Sequence, residues 1–442
     1  MNFTVGMVSL GCPKNQMDAE IMLAKIVDAG IEIKADSALA DVVIVNTCGF
    51  INDAKQESID YILELAQLKK EGQIKKIVVT GCMAERYQDE IYAELPECDA
   101  VLGLGANSDI VDALNKVVNG ENVLAFPSKD NWYLDGKRLQ TTPHFFAYLR
   151  ISDGCNNNCT YCAIPSIRGP LRSREMENIV DEAKILVADG VKELVLVAQD
   201  TTQYGVDLYG KSALPKLLCA LCEIEELRWI RLMYCYPEHI TDELIDVIAK
   251  QDKIVKYIDL PIQHSSGSVL RAMNRRSDER SLREVISKLR NKVENIAIRT
   301  TLIVGFPGES GDDFQNLCDF VADVKFDKLG CFTYSPEEGT PAASMKNQVD
   351  DDVKSERYDI LMSQQAVISE RLNGQKVGKI LEVLVESYDR YAESWFGRSC
   401  FDAPDIDGKV FFTVKKEVKP GDIVRVKITE AMDWDLIGGV VD

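Results

Sequence analysis

The chain has 442 residues, 46% hydrophobic and 28% charged, which is enough for two or three domains and too apolar for a disordered chain. Lys plus Arg number 51 against 71 Asp plus Glu, a net charge of −20, so the overall field repels nucleic acid and favours a basic partner. No run of about 18 apolar residues occurs, which excludes a conventional transmembrane helix. The N-terminal stretch MNFTVGMVSLGCPKNQMDAE lacks a basic leader region and reads as a first strand, so the expected compartment is the cytoplasm.

Over residues 1–120, short β-branched runs alternate with helical patterns. TVGMVSLG (4–11), VVIVNT (42–47), KIVVTG (76–81) and VLGLG (101–105) are predicted strands. Helical periodicity separates them, which implies a doubly wound parallel sheet. Residues 121–143 are polar and turn-rich and read as a linker or hairpin. Between 144 and 373, six strand candidates follow: 146–152, 193–199, 229–234, 257–262, 298–306 and 329–335. Six βα units predict a parallel partial barrel, with its site at the carboxyl ends of the strands. A long helix spans 351–375 and is closed by Gly374. Residues 374–442 turn to short strands, predicting a small β-barrel of the OB type, an architecture often used to hold nucleic acid.

The 13 cysteines are odd in number and sit in a chain of cytosolic character, which favours metal or redox chemistry over a disulfide framework. Only three histidines are present (His144, His239 and His264), so any metal site must rest on thiolates. Cys155, Cys159 and Cys162 form CNNNCTYC directly after the first strand of the second series. This spacing suits three irons of a [4Fe–4S] cluster, with the fourth left open for S-adenosylmethionine. A zinc site would want a C-x2-C pair and further ligands, which do not fit here. Cys12, Cys48 and Cys82 each follow a strand of the first series. The carboxyl ends of such strands line one crevice, so three residues distant in sequence should meet as a second thiolate trio. Helix starts at these positions are expected to lower the thiol pKa.

The loop GCNNNCTYCAIP at the mouth of a (βα)6 barrel resembles the radical-SAM superfamily. With SLGCPKN, VNTCGF, VAQDTT, DLPIQHSS and TLIVGFPGE, the whole chain resembles the methylthiotransferase family. SLGCPKN and AIPSIRGPLRSR look most like its RimO type. The resemblance implies an N-terminal methylthiotransferase domain, a radical-SAM domain and a C-terminal TRAM domain. It also implies two [4Fe–4S] clusters held by Cys12, Cys48 and Cys82 and by Cys155, Cys159 and Cys162, with S-adenosylmethionine bound at the second. Tyr161 matches the aromatic that packs on adenine in that family. Gln199 and Asp200 end a barrel strand where a polar side chain would reach the cofactor, with a helix N-cap as the alternative for Asp200. The implied activity inserts a methylthio group at the β-carbon of an aspartate of the small-subunit ribosomal protein numbered twelve. A low-potential electron donor of flavodoxin or ferredoxin type and a sulfur donor would serve it, with no membrane partner.

Two other readings remain at this point: a tRNA adenosine methylthiotransferase, and an RNA- or ribosome-binding factor with structural clusters. Residues 374–442 carry 10 Lys plus Arg against 13 Asp plus Glu, with Asp402, Asp405 and Asp407 in the turns between Trp395, Phe396, Phe411 and Phe412. That balance suits a basic protein better than tRNA. GFPG (305–308) is not a phosphate loop. His264 at the barrel mouth reads as structural, and Cys219 and Cys222 fall in an apolar helix as core residues. Cys98, Cys235, Cys318, Cys331 and Cys400 read the same way.

Overall fold

The computed structural model describes residues 3–441, apart from the side chain of Asn131. The chain divides into two compact units, each assembled from separate stretches of sequence. The first comprises residues 1–142, 152–174 and 335–343, and the second comprises 143–151, 175–334 and 344–442.

The first unit is built on a six-stranded parallel sheet in the order β2-β1-β3-β4-β5-β6. Its strands are β1 (Thr4–Ser9), β2 (Glu32–Ile33), β3 (Val42–Thr47), β4 (Lys76–Gly81), β5 (Ala100–Leu102) and β6 (Val123–Ala125). Alternation along the strands feeds two cores. Val42, Ile44 and Val78 pack on one face with Met22, Ile26 and Leu114. Val43, Val45, Ile77 and Val79 pack on the other with Ile62, Leu65 and Met83. A sheet apolar on both faces must be covered on both, as the doubly wound reading requires. The helices are α1 (Pro13–Asp28), α2 (Asn52–Lys70), α3 (Cys82–Tyr87), α4 (Asp89–Glu94) and α5 (Ile110–Val118). Residues 121–143, read from sequence as polar connection, supply the edge strand β6 and a fully buried Trp132 that packs into the first core. Residues 104–109, in part read as strand, form a 3-10 turn.

The second unit begins with β7 (Phe146–Arg150); the two-stranded ribbon of β8 (Ser152–Asp153) and β9 (Arg172–Ser173) that follows belongs to the first unit. The second unit continues with β10 (Glu193–Val197), β11 (Trp229–Leu232), β12 (Ile254–Asp259), β13 (Ala297–Val304) and β14 (Lys328–Thr333). These six strands are parallel and neighbours in chain order, forming the partial barrel expected from the six βα repeats. The long helix Asp351–Gly374 packs on β14. Gly374 is its last residue and does not close it; a right-handed Gln375 stands at the C-cap. A closed barrel follows from β15 (Ile380–Asp389), β16 (Ser394–Ser399), β17 (Val410–Thr413), β18 (Ile423–Ala431) and β19 (Leu436–Val440).

Asp402, Asp405 and Asp407, read in the sequence as acids of the turns, do not stand together at the surface. Asp402 is buried and bonds Lys328 Nζ at 2.8 Å, while Asp407 accepts from the Tyr257 hydroxyl at 2.7 Å and faces Arg299 at 3.6 Å. Asp405 is exposed, and its carboxylate accepts from the Tyr148 hydroxyl at 3.2 Å. Arg398 joins them through Glu193 at 2.7 Å, and Arg231 donates to the Cys400 carbonyl at 3.0 Å. One side chain from every barrel strand thus reaches segment 398–407. Buried carboxylates of this kind are retained because each is paired.

Candidate functional site

Adjacent parallel strands put their carboxyl ends side by side, and the register fixes how closely. Ser9 pairs with Asn46 and Asn46 with Thr80 across β1, β3 and β4. Carried two residues further, that register aligns Gly11, Cys48 and Cys82, with Cys12 next along the chain. Cys12 caps α1 ahead of Pro13, whose missing N–H costs nothing at that position. Two glycines are required here. Gly11 (φ +99°) would set a Cβ 3.0 Å from the Cys48 sulfur, and Gly81 (φ +97°) would set one 2.5 Å from the Thr47 carbonyl oxygen.

Beneath the three cysteines lies a buried polar cluster that sequence reasoning missed. Asn15 donates through Nδ2 to the carbonyls of Leu10 (3.1 Å) and Thr47 (2.8 Å), tying the ends of β1 and β3 together. Its Oδ1 accepts from the Cys82 thiol at 3.2 Å and from Arg168 at 2.7 Å. The Arg168 guanidinium also bonds Asp18 at 2.8 Å and Asp153 at 3.2 Å, and lies 3.5 Å from the Cys82 sulfur. Asp18 accepts in turn from Trp132 Nε1 at 3.0 Å. The only hint in the sequence was that Asn15 lies in SLGCPKN and Arg168 in AIPSIRGPLRSR.

The expected low thiol pKa is corrected at two positions. Burial pushes Cys82 up to about 12 against the opposing charge of Arg168, and burial likewise raises Cys48. The cost of desolvating a thiolate outweighs the partial charge of a helix start. Cys48 in addition precedes its helix by several residues, since α2 opens at Asn52.

The second trio rides an excursion between β8 and β9 in the same unit. Gly154 (φ +75°) passes close against Pro170, and Cys155 N–H donates to the Gly169 carbonyl at 3.1 Å, closing the loop at its base. Cys162 N–H donates to the Cys159 carbonyl at 3.1 Å, and helix α6 (Ile164–Arg168) follows at once. Burial pushes the Cys162 thiol up to about 12. A strap, residues 335–343, reaches both loops. Its Ala342 N–H bonds the Thr160 carbonyl at 2.9 Å, and Glu337 accepts from Arg86 at 2.9 Å and Lys55 at 3.0 Å. Arg86 also donates to the Gly49 carbonyl, beside Cys48, at 2.9 Å.

The strand register brings Gly11, Cys48 and Cys82 to one sheet edge, while Cys155, Cys159 and Cys162 share one loop between β8 and β9. Among the described residues, no three such side chains close tightly enough to clasp a single metal ion. A [4Fe–4S] cluster takes its cysteine ligands one per iron, and three thiols per site are the donor type such a cluster uses. Among the described residues, no two cysteines are joined by a disulfide.

The remaining predicted residues lie in the second unit, except Cys98 and Tyr161, the latter half-buried on the cysteine loop. Gln199 and Asp200 follow β10. Asp200 is buried; it caps the turn 201–203 through Thr202 N–H at 3.1 Å and bonds His239 Nδ1 at 3.1 Å. GFPG follows β13 as a turn held by Glu309, whose carboxylate accepts from Gly305 N–H at 2.6 Å and Phe306 N–H at 3.1 Å. His264 is buried; its Nδ1 accepts from Ser266 N–H at 2.9 Å, and burial lowers its pKa to about 4. Cys219 and Cys222 sit in the helix Leu214–Cys222 with buried Leu217, Leu218 and Leu221. Cys98, Cys235, Cys318 and Cys331 are buried, and Cys400 is half-buried.

Comparison with known proteins adds to this geometry. Residues 4–103 match the family described as uncharacterized protein family UPF0004, residues 149–321 the radical SAM superfamily, and residues 377–441 the TRAM domain. The chain is 49% identical over 435 residues to the ribosomal protein uS12 methylthiotransferase RimO of Lachnoclostridium phytofermentans, covering 98% of each chain. It is 49% identical over 441 residues to that of Citrifermentans bemidjiense, covering 99% of this chain and 98% of the other. Among solved structures, the radical S-adenosylmethionine methyltransferase TsrM from Kitasatospora setae aligns with a TM-score of 0.59 at 11% identity, over 83% of this chain and 89% of that one. At that identity the likeness concerns the fold alone.

Proposed function

The chain belongs to the family of ribosomal protein uS12 methylthiotransferases named RimO, and from that premise we propose that it inserts a methylthio group at the β-carbon of an aspartate of uS12. The observation that carries this reading is the pair of cysteine trios built into one compact unit. In it, Cys12, Cys48 and Cys82 hold one [4Fe–4S] cluster, and Cys155, Cys159 and Cys162 hold the other beside S-adenosylmethionine. Bound there, the clusters and S-adenosylmethionine would supply the radical and sulfur chemistry.

The chain's own part is to place and shield. Gly11 and Gly81 let three strand ends converge, while Asn15 and Arg168 fix the Cys82 sulfur. The hairpin of β8 and β9 holds Cys155, Cys159 and Cys162 on one loop, and three thiols per cluster would leave a fourth iron without a protein ligand. Tyr161 offers an aromatic face for the adenine, and Gln199 and Asp200 extend from a barrel strand whose carboxyl end is the usual ligand edge. A low-potential donor of flavodoxin or ferredoxin type and a sulfur donor complete the cycle, in the cytoplasm. The choice of uS12 over tRNA rests on the relatives, since two of the three acids thought to repel RNA are buried in pairs.

The test is anaerobic reconstitution of two triple variants, each judged with uS12 and with tRNA. Changing Cys155, Cys159 and Cys162 to Ala should leave one cluster and no cleavage of S-adenosylmethionine. Changing Cys12, Cys48 and Cys82 to Ala should keep cleavage and abolish methylthio-uS12. Iron content unchanged in either variant, or methylthio product on tRNA alone, would overturn the proposal.

A further inference from the structure

Arg168 is a buried cation of the first unit that links the segments carrying the two trios. It stands six residues beyond Cys162, on the helix that ends the second cysteine loop, yet its guanidinium points to the first trio, 3.5 Å from the Cys82 sulfur. The same helix packs Ile167, and its N-cap Ala163, against Cys82 and Leu104. One short helix therefore carries both an apolar and a charged contact from one trio to a ligand of the other. The charge is tightly specified: Asp18, Asp153 and Asn15 fix the guanidinium on three sides. An ion pair alone would not need the thiol within reach.

We propose that Arg168 is a positioning residue for the N-terminal cluster, setting its potential by donating to the Cys82 sulfur and holding a positive charge against it. This rests on the assignment of Cys12, Cys48 and Cys82 as cluster ligands. Hydrogen bonds to ligating sulfurs and local net charge are the protein's main means of moving a cluster potential. A donor and a cation both draw electron density from the sulfur and favour the reduced cluster. Asp18 works against this, since each carboxylate facing the guanidinium cancels part of its field. The arrangement makes opposite signs for the two neighbours, which a merely structural role would not.

The experiment uses the full chain carrying Cys155, Cys159 and Cys162 changed to Ala, so that the N-terminal cluster alone is read. Iron and sulfide per chain and the midpoint potential by redox titration are measured for this parent, R168Q, R168K, I167A and D18N. R168Q should shift the potential down, R168K should shift it less, D18N should shift it up, and I167A should leave it in place. Should R168Q fail to retain a cluster, the upward shift in D18N decides the matter. Potentials equal to the parent in the Arg168 variants, or shifts of one sign in R168Q and D18N, would overturn the proposal. A parent that binds no cluster at all would overturn the ligand assignment beneath it.

Discussion

Glu193 offers the sharpest test of how the barrel strands and the C-terminal segment are held together. Its carboxylate is fully buried and bonds Arg231 at 2.7 Å and Arg398 at 2.7 Å. Arg398 has a second carboxylate in Glu386 at 2.5 Å, so two cations meet two anions. E193Q keeps the shape and an acceptor but leaves that quartet with one uncompensated positive charge. Breaking a buried pair from one side costs about 3–5 kcal/mol, and the retained acceptor places this variant near the lower figure, about 3 kcal/mol. For a domain of 150–250 residues each kcal/mol moves Tm by about 2–4 °C, so a fall of roughly 6–12 °C is expected. Differential scanning calorimetry, paired with tryptophan fluorescence, reads it, because Trp229, Trp395 and Trp434 all lie in the second unit.

The same pair has a pH signature. Burial raises the Glu193 pKa, but Arg398 and Arg231 outweigh burial and hold it below the usual value. A carboxylate depressed in the folded state stabilises above its unfolded pKa, about 4.3, and loses that contribution as pH falls through the folded value. The gap between E193Q and the parent should therefore be full at neutral pH and close only in acid below about 4.3. A Tm unchanged in E193Q, or a gap that stays constant to pH 3, would refute the reasoning.

Two further outcomes follow from other sites. G81A should lose at least about 1–3 kcal/mol, because a left-handed residue acquires a Cβ against the Thr47 carbonyl, and it should also carry less iron at the N-terminal trio; thermal melting and iron assay check both. His264 titrates lower folded than unfolded, so its neutral form stabilises fully above about pH 6.5 and the contribution drains as pH falls toward the folded value near 4. The urea-derived stability should drop by about 2 kcal/mol more between pH 7 and 5 in the parent than in H264Q.

The strands were legible because β-branched runs such as VVIVNT cannot be satisfied at a surface, and their alternation with helices dictated parallel sheets. The placement of Cys12, Cys48 and Cys82 at strand ends was legible for the same reason, since strand ends in such a sheet share an edge. What stayed hidden depends on pairing across long sequence separations. Arg168 meets Asp18 across 150 residues, and nothing local in either segment signals the partner. Asp402 and Asp407 misled because acids in turns are usually solvated; here barrel strands bring Lys328, Arg299 and Tyr257 over them. Trp132 was hidden in a polar stretch, where a single aromatic outweighed its neighbours' composition. The thiol pKa values were misjudged because burial, which the sequence does not display, dominated the helix-start effect.

The strap at 335–343 also sets a schedule for synthesis. The three strand-end cysteines are complete in sequence once residue 82 has been made, but Arg168 and Glu337, which brace their pocket, emerge only later. Translation at about 5–20 residues per second leaves the nascent pocket without its last brace for roughly ten seconds to a minute. Over that interval the three thiols stand on a scaffold that lacks Glu337 and its pairs to Arg86 and Lys55. A ribosome that pauses in the barrel segment would lengthen this interval, and one that runs through it quickly would shorten it. On the proposed ligand assignment, elongation speed would set how long Cys12, Cys48 and Cys82 wait for Arg168 and Glu337 to be made.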